Sequence, residues 1–287
     1  MLQEYKEEKS SYLTAFFKGN HVGIVHSLFT HSLNIKLGKQ LVHVSDMLEP
    51  LSAFGVKLKD EKIQALLTVI KIGDFVSCQN QTLTFYNQWN KVVLVVALEL
   101  LTEIQLKIEP FTSYPKCIEE TAFFKELSRI PVHMRTGLPL SSTTTGYLEE
   151  LSNYPKDPLS NVEQSAIINH LVGRGIGLTP SGDDLLIGYT SILTLLDQQH
   201  EWLKTMQQVV RTDKTTAISI AYLQCLLEGV VNENIKELID LFYLDDQKLL
   251  QKKMERMLLF GHTSGTDTLF GMLIGTKAMI KREKSGK

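Results

Sequence analysis

The stretch that most constrains this chain runs from Gly173 to Gly188 and reads Gly-Arg-Gly-Ile-Gly-Leu-Thr-Pro-Ser-Gly-Asp-Asp-Leu-Leu-Ile-Gly. Glycines at alternate positions, Gly173, Gly175 and Gly177, let the backbone take positive φ and approach another group closely, at an entropic cost that a plain linker has no reason to bear. A helix is expected on each side. Ser160 with Glu163 has the spacing of a capping box and opens a helix through Val162, Ala166 and Leu171 that ends at Gly173. The next helix is expected from Asp183, with its free first-turn N–H groups and positive dipole end directed back into the loop as a local anion site. Arg174 adds a possible bidentate donor, and Asp183 and Asp184 in the first turn are placed to hold Mg2+.

A plainer account competes. Ser181 as N-cap with Asp184 three residues on resembles a capping box, and acidic residues in a first turn complement the helix dipole. That covers Ser181 and one aspartate. It leaves Gly182 and Gly188, each costing up to about 1 kcal/mol relative to alanine inside a helix, for which a close helix crossing or a ligand contact gives a reason. The segment lacks the Gly-Lys-Ser/Thr of a Walker A loop, and no strand precedes it as a dinucleotide fingerprint requires.

The pattern returns near the C-terminus. Ser181-Gly182-x-Asp184-x-Leu186-x-Gly188 matches Ser264-Gly265-x-Asp267-x-Leu269-x-Gly271. Both copies follow a loop, both start an amphipathic helix, and both carry glycine seven residues after the serine, so the two helix starts are expected to converge on one pocket. His262 occupies the position equivalent to Thr179, where a histidine can exchange protons near neutral pH, although a lone histidine is more often structural. A third polar stretch, His133 to Thr145, contains Arg135-Thr136-Gly137-Leu138-Pro139 and a Ser-Thr run. It is expected as a long loop, flexible or facing a ligand.

Around these motifs the chain changes period. Leu33, Ile35 and Leu37, then Gly38-Lys39, then Leu41 and Val44 predict a hairpin, and a second is expected from Phe75 to Phe85 turning near Gln79-Asn80. Val92 to Val96 and the alternating Ile104, Leu106 and Ile108 add strands, and Ile63, Leu66, Leu67 and Ile70 predict one helix over Asp60 to Ile70. From Glu119 the spacing is helical: first Phe123, Phe124, Leu127 and Ile130 with Pro131 as the stop, and later Glu201 to Arg211, Thr215 to Val230, Ile235 to Phe242, Gln247 to Leu259 and Gly265 to Lys281. The expected class is α+β, a mainly β domain over residues 1–110, barrel-like or a small sheet, and a helical domain over 111–287 that carries both motifs.

Composition narrows the function classes. With 30 basic against 32 acidic residues and a net charge of −2, no global field favours nucleic acid or an anionic membrane, so any anion must be bound locally. Cys78, Cys117 and Cys225 are odd in number and far apart, which predicts reduced thiols in a cytosol. No apolar run is long enough to span a bilayer, and the Glu- and Lys-rich start does not read as a signal peptide. His21, His26, His31 and His43 are expected on strands without metal-ligand pairing to acidic residues, and the helix dipole explains His170. No GxSxG, HExxH or Cys/His spacing points to covalent or zinc hydrolysis.

The string Gly175 to Gly188, with Thr263-Ser264-Gly265-Thr266-Asp267-Thr268-Leu269-Phe270-Gly271, resembles the AllH family, whose members are encoded beside FdrA-type proteins. The likeness covers the C-terminal half through these motifs and the β part in general layout. It implies a subunit of oxamate carbamoyltransferase, which in anaerobic allantoin breakdown converts oxalurate and phosphate into oxamate and carbamoyl phosphate. An FdrA-like subunit and a second companion subunit would be its partners. In that setting the small anion would lie on the loop of Gly175, Gly177 and Thr179 and the helix start at Ser181 and Gly182. Arg174 would clamp it, with Arg135 and Thr263 as further contacts, and Asp183 and Asp184 would act through Mg2+. His262 would protonate the departing nitrogen, with Ser264, Gly265 and Asp267 orienting the substrate. Two readings compete: a Mg2+-dependent enzyme acting on another phosphorylated small molecule, and a non-catalytic assembly or ligand-sensing subunit.

Overall fold

The computed structural model describes residues 6–111, 117–210 and 214–286. The chain divides between Leu106 and Lys107 into two compact units.

The first unit is a nine-stranded sheet curled into a half-barrel. Its strands are β1 (Glu8–Ser10), β2 (His21–Leu28), β3 (Ser32–Leu37), β4 (Gln40–Ser45), β5 (Gly55–Lys57), β6 (Phe75–Gln79), β7 (Thr82–Tyr86), β8 (Val92–Ala97) and β9 (Thr102–Ile104), in the spatial order β8-β7-β6-β2-β3-β4-β5-β1-β9. Both expected hairpins form. Gly38, at φ 58°, makes the β3–β4 turn, and Asn80 and Gln81, at φ 49° and 57°, make the β6–β7 turn one residue later than expected. Two successive positive-φ residues match the right-handed strand twist, which is why so short a connection closes. Ile35 pairs with Val42 and Leu33 with Val44, all fully buried. One short helix, α1 (Thr14–Phe17), and the amphipathic α2 (Asp60–Val69) accompany the sheet.

Two expectations need correction here. The last strand stops at Ile104. Beyond the unit boundary Lys107 bridges to Val230 and the Ile108 amide donates to the Gly229 carbonyl, so that stretch pairs locally with its own unit. His31, expected on a strand, lies between β2 and β3 with its Nδ1 2.8 Å from Asp46, and on β4 His43 Nε2 lies 3.1 Å from Glu49. The alternation of strand side chains could not show which loop carboxylates fold back onto them.

The second unit is helical: α3 (Ala122–Arg129), α4 (Val132–Arg135), α5 (Ser142–Asn153), α6 (Asn161–Leu171), α7 (Ser181–Leu195), α8 (His200–Val209), α9 (Ala217–Leu227), α10 (Glu233–Asp240), α11 (Gln247–Leu258) and α12 (Ser264–Lys284). Arg211, the expected end of α8, lies outside the described residues. The polar loop expected from His133 to Thr145 is mostly helix. Val132–Arg135 forms a turn of its own, and the Ser141 hydroxyl accepts the Thr144 amide and so starts α5 inside the Ser-Thr run. Serine and threonine are poor helix formers but good caps, and the cap prevails.

Helix α7 is buried on every side, as a helix at the centre of a unit must be. The polar residues of its second half are satisfied: Ser191 and Thr194 bond carbonyls four residues back, and Thr190 accepts the Trp202 indole N–H at 2.9 Å. The long α12 lies against it. Among the described residues no helix is long and apolar enough to cross a membrane, and Cys78, Cys117 and Cys225 form no disulfide.

Candidate functional site

The repeat seen in the sequence is a repeat in space. Gly182 packs on the Leu171 carbonyl at the end of α6, and Gly265 packs on the Met257 carbonyl near the end of α11, where an added Cβ would come within 2.0 and 1.7 Å. Each motif thus begins a helix pressed against the helix before it, and each places the same serine and aspartate on the inner side. The two starts meet: Ser181 Oγ is 3.5 Å from Thr263 Oγ1.

The capping account fails at both helices. The residue before α7 is Pro180 and the residue before α12 is Thr263, and neither makes a side-chain cap hydrogen bond. Ser181 and Ser264 are the first helical residues, and their hydroxyls face across the junction. Ser181 stands beside Asp267, and Ser264 stands beside Asp184. The exchange is reciprocal, as expected for two similar motifs facing each other.

Asp184 and Asp267 form the centre. Burial pushes both carboxyls above their ordinary range, Asp184 strongly so, and the Asp267 and Asp183 charges add a smaller rise there against the opposing effect of the Ser264 and Thr179 hydroxyls. Around Asp267 the opposing groups are Thr136, Ser181, Thr263 and the Gly137 amide. Asp267 Oδ1 accepts from the Thr136 hydroxyl and, at 3.1 Å, from the Gly137 amide. Asp184 Oδ2 and Asp267 Oδ2 are buried without a hydrogen-bond donor. No lysine or arginine among the described residues pairs with either carboxyl.

The loop after α4 completes the centre. Gly137 lies so close to Ser181 and Thr263 that an added Cβ would stand 2.5 Å and 2.8 Å from their hydroxyl oxygens. The sequence reading singled out this loop through Arg135, but Arg135 is exposed at the end of α4, and its neighbours Thr136 and Gly137 make the contacts. The polar, glycine-bearing run was the available signal.

Several predicted site residues stand elsewhere. Asp183 turns away from Asp184: its carboxylate accepts the Gly173 amide at 2.8 Å, the Ser219 hydroxyl at 2.6 Å and the Thr215 hydroxyl, tying the glycine loop to the start of α9. Successive helical residues are about 100° apart, so two adjacent aspartates do not face one ion. Arg174 does not reach into the junction. Its Nε donates to the His170 carbonyl at 2.7 Å, at the end of α6. The first-turn amides expected to be free at α7 are engaged, Gly182 with the Arg174 carbonyl and Asp183 and Asp184 with the Pro180 carbonyl. At α12, Gly265 donates to Phe260 and Asp267 to Thr263. Gly175 and Gly177 take φ 117° and 97° in the loop as expected, and Thr179 is half-buried beside Asp184. His262 is exposed just before Thr263. Thr215 and Ser219 carried no sequence signal.

Residues 171–276, which span both motifs and the helices between them, match the family described as oxamate carbamoyltransferase subunit AllH. Over that stretch the chain is similar to the AllH family. The matched AllH stretch contains the paired aspartates, the serines facing them, and the α7–α12 crossing, while Thr136 and Gly137 lie upstream of it. No solved structure matches the chain.

Proposed function

We propose that this chain is a subunit of an oxamate carbamoyltransferase-type assembly, in which its helical unit holds the carbamoyl-bearing substrate. The observation that carries the reading is the meeting of two Ser-Gly-x-Asp helix starts, within the AllH stretch, around two buried carboxyls ringed by hydroxyls. In this reading the overall reaction is that of oxalurate with phosphate, giving oxamate and carbamoyl phosphate. An FdrA-like subunit and a second companion subunit complete the assembly and supply cationic groups for the anions. Preorganised polar groups in a site shielded from water are the main means by which such a subunit contributes to acyl transfer.

The test is reconstitution. The three subunits together should form carbamoyl phosphate from oxalurate only when phosphate is present, and Asp184→Asn or Asp267→Asn should lower kcat/KM by at least about a hundredfold if these groups contact the reacting centre. His262→Gln in the same assay tests the histidine assigned as acid. A complete assembly without phosphate-dependent turnover would rule the reading out.

A Mg2+-dependent reading is favoured by one observation, the two donorless carboxyl oxygens. The ion would then lie between Asp184 and Asp267 instead of Asp183 and Asp184, because the Asp183 oxygens are engaged. Turnover unaffected by EDTA would dismiss it.

A further inference from the structure

Asp184 Oδ2 and Asp267 Oδ2 occupy equivalent positions of the two motifs, in side chains only 4% and 0% exposed, and both lack a donor. A shortage that occurs in both copies of a repeat belongs to its design. Buried acceptors are normally satisfied. Here the Thr268 hydroxyl is committed to the Ser264 carbonyl, the Arg174 guanidinium to His170 and the Thr136 hydroxyl to the other oxygen of Asp267, and the hydroxyls beside the pair, Ser264 and Thr179 at Asp184 and Ser181 and Thr263 at Asp267, leave both Oδ2 atoms unmet. The missing donor therefore has to arrive with a ligand.

Three kinds of group could meet two such oxygens. A phosphate or carboxylate would face two carboxyls with no pairing lysine or arginine, which repels it. A Mg2+ ion demands near-ideal octahedral coordination, of which these two oxygens would supply only two positions, and the EDTA arm of the experiment below separates it from the third kind. A planar amide nitrogen, by contrast, offers N–H donors fixed in one plane and carries no full charge to be desolvated. The half-buried hydroxyls of Thr179, Thr263 and Ser264 line the same junction and give it a polar wall.

We infer that Asp184 and Asp267 together recognise the N–H donors of a carbamoyl or ureido group, so that this junction reads the nitrogen end of the substrate while its anionic end is held away from the pair. The inference rests on the carbamoyl-transfer reading for the identity of the group, and it assigns the two aspartates to substrate recognition.

Matched ligands test it. Titration calorimetry on the full chain compares carbamoyl phosphate with acetyl phosphate, and oxalurate with N-acetyloxamate, each pair differing by –NH2 against methyl. The –NH2 member should bind at least about tenfold more tightly in one pair or both, since a site built to bond a polar group rejects the analogue lacking it. In Asp184→Asn and Asp267→Asn the ratio should fall below about threefold. Equal affinities in the wild type, no binding of any of the four ligands, or a preference that disappears in EDTA each overturns the inference, and the wild-type ratio decides even if a variant unfolds. Discrimination in the carbamoyl phosphate pair with no oxalurate binding supports the inference and counts against oxalurate. Phosphate-dependent turnover by the assembly with equal affinities overturns the inference and leaves the functional reading in place.

Discussion

Gly188 of α7 and Gly271 of α12 lie at the point where the two helices cross, each against the backbone of the other. A Cβ added to Gly188 would stand 1.9 Å from the Thr268 carbonyl oxygen, and one added to Gly271 would stand 2.0 Å from that of Leu185. The glycine at the eighth position of each motif is therefore the contact that sets the distance between the two helix starts, and with it the separation of Asp184 and Asp267.

Gly188→Ala and Gly271→Ala should each destabilise the chain by about 1–3 kcal/mol or more, because a methyl group must push two buried backbones apart. Gly146→Ala provides the contrast: that exposed position in α5 has open space around it, and alanine there should be neutral or stabilising by up to about 1 kcal/mol. Denaturant unfolding of the three variants is the measurement, and equal effects at Gly146 and Gly188 would contradict the crossing.

Burial raises the Asp184 and Asp267 carboxyls above their unfolded value of about 3.9, so between that value and the raised one the folded chain binds more protons than the unfolded chain. Stability should fall as pH rises through that window, opposite to a salt-bridged carboxylate. Asp184→Asn removes the penalty. It should raise Tm near neutral pH and flatten the slope, which a set of melts from pH 4 to 8 would reveal.

Arg174 caps the end of α6 through the His170 carbonyl and does not face the carboxyl pair. Arg174→Ala should cost about 0.5–1.5 kcal/mol, the value of one hydrogen bond, and leave the –NH2 over methyl ratio of the matched ligands unchanged. A collapse of that ratio would return Arg174 to the site.

Ser160 and Ser181 look alike in sequence, each with an acidic residue three positions on. Only Ser160 caps: its hydroxyl accepts the Glu163 amide, and the Glu163 carboxylate accepts the Ser160 amide at 2.8 Å. Ser160→Ala should cost about 1 kcal/mol of stability with no effect on ligand binding. Ser181→Ala should act in the opposite sense, weakening ligand binding more than it lowers Tm.

Much of the architecture was legible without coordinates. Alternation at Leu33, Ile35 and Leu37, the turn at Gly38, and three- and four-residue spacing after Glu119 are local signals, and local backbone preference with one apolar face is enough to choose strand or helix. The same reading went wrong where long-range neighbours decided. The Ser141–Thr145 run became a helix start, and Ile108 paired with the Gly229 carbonyl instead of extending a strand.

By itself the sequence determined that two similar helix starts exist, because Ser-Gly-x-Asp with a glycine four residues later is a pattern along the chain. Only the tertiary structure decided what those residues face. A helix turns about 100° per residue, so the neighbours Asp183 and Asp184 diverge, one to the start of α9 and the other to Asp267, 83 positions further along the chain. Which oxygens end up buried without a donor depends on the packing of helices far apart in sequence, and no spacing rule along the chain carries that information.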